Sequence, residues 1–162
     1  LSDPQPGVQP DPRPAPPAAA PPVVLVPDAG VGVKWFVPQP DSATAARLLD
    51  ARFEVHVPGY FFTEAASVFQ QMVALRGTLT EAEGLECYRA LRSVPLTAHD
   101  GDALLEAAYH LAVRYKRPVY DSLYLAVALE AGGRVVTADG RLYRGVKGGP
   151  LGHLVLWVTD PV

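Results

Sequence analysis

The sequence predicts an α/β domain of three layers, with a mainly parallel central sheet of four to five strands flanked by helices. Two observations predict it. Short apolar runs alternate with segments of helical period along the chain, the pattern that builds parallel sheets with helices on both faces. A stretch near residues 121–131 is apolar on nearly every side, as a buried helix must be. The composition supports a core of this kind, because 49% of the 162 residues are hydrophobic and only 19% charged.

The elements follow in order from residue 23. Val23-Val24-Leu25-Val26 is a short apolar run that ends at Pro27-Asp28, so it reads as a buried strand. A short helix through Val31–Phe36 stops at Pro38, and Asp41-Ser42 opens another to about Ala51. Phe53–Val57 is a second strand, closed by Pro58-Gly59. From Tyr60 to Arg76, residues Ala65, Val68, Phe69, Met72 and Leu75 share one helical face, and Gly77 supplies the stop. Thr80-Glu81-Ala82-Glu83 has the form of a capping box, in which each end residue satisfies a free backbone N–H of the other. It opens a helix to about Arg92, and Val94–Thr97 reads as a third strand. Leu104, Leu105, Ala108, Leu111, Ala112 and Tyr115 trace an amphipathic stripe. The buried helix Asp121–Ala131 ends at Gly132-Gly133. Arg134–Thr137 is a fourth strand, Asp139–Arg144 a short helix and Leu154–Trp157 a last strand.

Residues 1–22 stand apart, because they hold more than half of the 17 prolines and cannot form a helix or a ladder. They are expected to be a disordered Pro/Ala-rich tail preceding a domain over 23–162. The single cysteine, Cys87, permits no internal disulfide and no thiol-based zinc site. No run approaches the ~18 apolar residues of a membrane span, so no membrane partner and a cytoplasmic location are expected. A net charge of −3 argues against a high-affinity non-specific polyanion binder, so any nucleic-acid work needs a local basic patch or metal ions. His56, His99, His110 and His153 show no ligand spacing and read as surface or satisfied core residues.

Four acids matter more. In open α/β sheets, ligand sites lie beyond the carboxyl ends of the strands. Asp28 follows the first strand and Asp139 the fourth, while Glu64 and Asp121 open helices. Strand C-termini and helix N-termini share one sheet edge, so the four can converge. Converging carboxylates repel unless a cation neutralises them, and a thiol-free oxygen set suits Mg²⁺ or Mn²⁺. Each acid also has an ordinary reading: Asp28 and Asp139 as helix N-caps, Glu64 and Asp121 as partners of a helix dipole.

The motifs around these acids resemble the PIN-domain family, and within it the VapC-like ribonuclease toxins of toxin–antitoxin pairs. The resemblance rests on Val26-Pro27-Asp28-Ala29 with Val33-Lys34-Trp35-Phe36 and Pro38, then Val57-Pro58 followed by Thr63-Glu64-Ala65. It continues through Val119-Tyr120-Asp121-Ser122-Leu123-Tyr124-Leu125-Ala126 and Val136-Thr137-Ala138-Asp139, in the family's order. It implies an endoribonuclease that hydrolyses RNA phosphodiesters with Mg²⁺ or Mn²⁺, forms a homodimer and is silenced by a small cognate antitoxin. The family's catalytic, metal-binding acids fall on Asp28, Glu64, Asp121 and Asp139, and its supporting hydroxyl on Thr137, read as orienting a metal-held water. Lys34, Arg141, Arg144 and Lys147 lie close to these acids in sequence and are expected to hold RNA phosphates. Three positions depart from the family: Gly30 replaces a usual Ser or Thr, Pro27 a usual aliphatic residue, and Ser67-Val68 a usual Asn. The first two motivate an alternative, a PIN-like fold that binds RNA or a partner without cutting. An RNA-processing nuclease outside any toxin pair is a third reading.

Overall fold

A computed structural model describes residues 21–162. The expected tail falls almost wholly on residues 1–20, outside the described residues. The order is β1 (Val23–Pro27), α1 (Ala29–Val33), α2 (Ser42–Ala46), β2 (Phe53–Pro58), α3 (Phe61–Ala74), α4 (Glu81–Arg92) and β3 (Thr97–His99). It continues α5 (Gly101–Tyr115), α6 (Val119–Ala131), β4 (Arg134–Thr137), α7 (Gly140–Lys147) and β5 (Val155–Trp157). The five strands form one sheet in the order β3-β2-β1-β4-β5, and every pair is parallel.

β1 sits at the centre, so both of its faces are covered. Leu25 packs with Val31, Ala45, Leu48, Val136 and Leu156 on one side of the sheet. Val26 packs with Val57, Phe61, Leu91, Leu125 and Val135 on the other. The alternation within Leu25-Val26 and Val135-Val136 is the two-residue period of a strand buried on both faces. The buried helix behaves as its composition requires: Ser122 through Ala128 are all buried in α6. Gly132 takes a left-handed φ of 66° to cap it, which costs a residue without Cβ nothing.

The structure moves several boundaries for identifiable reasons. The third strand begins at Thr97 instead of Val94, because the Val94 N–H still bonds Leu91 at the end of α4 and Pro95 has no N–H to offer a ladder. The first helix starts at Ala29, two residues early, because Asp28 caps it. The second ends at Ala46 and tightens into a 3₁₀ turn over Arg47–Leu49. Pro27 stays in the sheet. The Asp28 N–H points to β4, so by alternation the missing N–H of Pro27 faces β2, beyond the last β1–β2 pair at Leu25 and Val55.

α1 approaches α3 closely. A Cβ on Gly32 would lie 2.6 Å from the ring of the fully buried Phe61. Gly32→Ala should therefore lower unfolding stability by about 1–3 kcal/mol through overpacking, despite alanine's better helix propensity. Urea denaturation checks this; an unchanged midpoint would mean that α1 has room to shift.

Candidate active site

Asp28 is the first residue after β1, and 6% of its surface is exposed. Its backbone N–H donates to the Val136 carbonyl at 2.9 Å, which ties it to β4. Its Oδ1 accepts the Val31 N–H at 2.8 Å, capping α1, and its Oδ2 accepts the hydroxyl of Thr137. Thr137 ends β4 and is fully buried. Its Oγ1 also accepts the Asp139 N–H at 2.9 Å. One hydroxyl thus holds two of the acids, as donor to one carboxylate and acceptor from the other's backbone.

Asp139 caps α7, with Oδ1 accepting the Arg141 N–H at 2.7 Å and Oδ2 lying 3.6 Å from the Arg141 guanidinium. Glu64 and Asp121 stand in the first turns of α3 and α6. Glu64 is an exposed residue whose Oε2 accepts the Tyr124 hydroxyl at 2.6 Å. The capping roles of Asp28 and Asp139 are real, and they aim the carboxylates.

Burial and neighbouring charge raise three of the four acids. Burial pushes the Asp28 carboxyl up, against the pull of the Thr137 hydroxyl and the Val31 and Ala138 amides, and Asp139 adds to the rise. Glu64 is raised first by burial, with Tyr124 opposing and Asp28, Asp121 and Asp139 each adding repulsion. Asp121 is raised by burial and then by Asp139, while Arg117 and Arg141 draw it down. Tyr124 is itself pushed well up by burial and remains a protonated donor to Glu64.

An all-oxygen set of mutually repelling, partly buried carboxylates fits Mg²⁺ or Mn²⁺. Among the described residues, no three His, Cys, Asp or Glu side chains stand ready to enclose an ion by themselves.

The expected phosphate-holding cations are placed unevenly. Arg141 is beside Asp139, and the Arg144 guanidinium lies over Gly140, 2.7 Å from where its Cβ would stand. Lys34 Nζ donates to the Pro40 carbonyl at 2.8 Å, and Lys147 Nζ donates to the Val155 carbonyl at 3.2 Å, so both ammonium groups have structural bonds. Sequence reasoning missed Tyr124 and Arg117. Tyr124 lies one helical turn after Asp121 in the same motif, which was the available signal. Arg117 lies four residues before Asp121, threads past Gly145 and has a buried Nε without a protein partner.

Two outcomes follow from this geometry. Thr137→Val should cost about 1–3 kcal/mol, because it removes a buried donor and leaves the Asp139 N–H unpaired; Thr137→Ser should recover most of it in urea denaturation. The raised Asp28 carboxyl implies a sign for pH. Its contribution to stability is fully present below the unfolded value of 3.8 and is lost as pH rises through the higher folded value. Metal-free wild type should therefore lose stability relative to Asp28→Asn as pH climbs from 3.8 to the higher folded value and level off beyond it, and a constant difference across pH would refute it.

Comparison with known proteins agrees with this fold. Residues 25–147 match the model of the PIN domain. The chain is 31% identical over 119 residues to Ribonuclease VapC12 of Mycobacterium tuberculosis, covering 74% of this chain and 89% of that protein. It is 31% identical over 120 residues to Ribonuclease VapC3 of Pyrobaculum aerophilum, covering 73% and 91%. Its fold matches the crystal structure of PAE2754 from Pyrobaculum aerophilum with a TM-score of 0.61 at 18% identity, covering 84% of each chain. It matches VapC20 of Mycobacterium tuberculosis, a sarcin–ricin loop cleaving toxin, with a TM-score of 0.55 at 17% identity, covering 73% of this chain and 92% of that one. With the parallel sheet and the motif order in agreement, this chain belongs to the PIN-domain family.

Proposed function

We propose that the chain is a divalent-metal-dependent endoribonuclease, the toxin of a toxin–antitoxin pair. One observation carries this reading. Asp28 is buried where β1 ends, the Thr137 hydroxyl ties it to Asp139, and Glu64 and Asp121 stand in helix first turns at the same edge of the sheet. A fold does not gather carboxylates at one edge for its own stability, since like charges repel. The ribonuclease names of the two relatives support RNA as the substrate.

The roles divide among the chain's own residues. Asp28, Glu64, Asp121 and Asp139 are the ligand set for Mg²⁺ or Mn²⁺. When bound, such an ion neutralises charge on a phosphodiester and makes water a better nucleophile at neutral pH. Thr137 fixes Asp28 and Asp139 relative to each other, and Tyr124 fixes the Glu64 carboxylate. Arg141 and Arg144 supply local positive charge beside Asp139 for RNA phosphates, which a net-acidic chain requires. A small antitoxin and a second copy of the chain are the expected protein partners.

Cleavage of RNA in Mg²⁺ tests the assignment. Asp28→Asn and Asp121→Asn should each slow cleavage by at least about 10²-fold with the circular dichroism spectrum retained, the scale of losing a group that stabilises transition-state charge. Tyr124→Phe should cost about tenfold, as expected for a residue that only orients a ligand. Chelation should abolish cleavage and Mn²⁺ should restore it. Wild-type rates in either Asp→Asn variant would remove the carboxylates from the mechanism.

A further inference from the structure

The fold brings together two histidines that the sequence keeps 43 positions apart. His99 in β3 lies opposite Pro58 in β2, and Pro58 is one pleat period beyond His56. His56 and His99 therefore project to the same face of the sheet. Their rings meet there with His56 Nδ1 2.8 Å from His99 Nε2. Both side chains are largely enclosed, at 14% and 16% exposure.

The outer nitrogens also have partners. His56 Nε2 lies 3.6 Å from Glu54, two residues earlier on the same face, and His99 Nδ1 lies 3.9 Å from Glu130 near the end of α6. The result is a line of carboxylate, imidazole, imidazole and carboxylate. As a plain hydrogen bond, the inner contact holds a single proton between two nitrogen lone pairs. The same two lone pairs can be shared by an ion. Metal-bound histidines usually offer the second ring N–H to a carboxylate, which fixes the tautomer and raises ligand basicity. Glu54 and Glu130 stand just beyond hydrogen-bond distance of the outer nitrogens and would close on them in the ion-bound form.

We propose that His56 and His99 form a site for a borderline divalent transition-metal ion such as Zn²⁺, separate from the four carboxylates and independent of the nuclease reading. Two nitrogens at about 2.0–2.1 Å from a tetrahedral ion stand about 3.3 Å apart, so the rings need to part by about half an ångström and turn so that both lone pairs converge on the ion. Among the described residues no third His, Cys, Asp or Glu completes the set, so water fills the remaining positions. Imidazole selects Zn²⁺, Ni²⁺ or Cu²⁺ over Mg²⁺, which keeps the two sites chemically distinct. An ion held here would clamp the three-residue edge strand β3 onto β2.

Zn²⁺ calorimetry on the full chain, free of any polyhistidine tag and in excess Mg²⁺ to occupy the carboxylates, tests the site. Wild type should take up an equivalent of Zn²⁺ that His56→Gln and His99→Gln each lose. His110→Gln and Asp28→Asn should keep it, and Glu130→Gln should keep the stoichiometry with about tenfold weaker binding. Electron paramagnetic resonance of wild type with one equivalent of Cu²⁺ under the same Mg²⁺ excess needs no variant to fold, and should show hyperfine coupling to two nitrogens. No Zn²⁺ uptake, uptake unchanged by both histidine variants, or an oxygen-only Cu²⁺ signal would each overturn the proposal and leave a simple imidazole hydrogen bond.

Discussion

The buried carboxylate of Asp28 is the constraint on which the rest of the site depends. It lies where the central strand turns into α1, and it is satisfied from two directions, by the Val31 amide and the Thr137 hydroxyl. The second partner comes from a different strand, so the carboxylate is satisfied only when β1 and β4 are in register. The same register places Asp139 on the edge. The polarity of the parallel sheet then brings the first turns of α3 and α6 to that edge with Glu64 and Asp121. The β1–β4 pairing therefore sets Asp28 and Asp139, and the common polarity of the strands brings Glu64 and Asp121 to the same edge.

Capping and ligand geometry are one device here. An aspartate that accepts a helix N–H has a fixed side chain, because the bond selects its rotamer. Asp28 and Asp139 are both held this way, and the oxygens left over meet the Thr137 hydroxyl and the Arg141 guanidinium respectively. Gly30 belongs to the same arrangement. A Cβ there would stand 3.2 Å from Asp28 Oδ1, tighter than ordinary contact, so the glycine leaves the carboxylate unpressed. The hydroxyl that the family usually carries at this position is absent, and Thr137 supplies support from the opposite side.

Local chemistry made much of this legible in the sequence. The apolar runs of β1 and β4, the all-round apolar α6 and the capping box at Thr80 are signals contained within a few residues, and each forms as read. The four acids were legible because strand ends and helix starts share an edge. What escaped depends on distance along the chain. Tyr124 meets Glu64 across 60 positions, and His56 meets His99 across 43. Neither pairing has a periodic trace, since only the strand order decides which faces meet. The shift of β3 has a local cause, as Val94 serves the end of α4 and Pro95 cannot serve a strand.

The central place of β1 also sets a timetable for the newborn chain. β1 leaves the ribosome first, yet its Asp28 meets Thr137 across 109 positions. Until β4 has emerged, the first strand lacks one neighbour and Asp28 lacks the hydroxyl that holds it. Non-local strand pairing of this kind forms late, because a long loop must close before the contact rewards it. Whatever chemistry the acidic edge performs is thus withheld during synthesis until β4 has emerged and paired with β1.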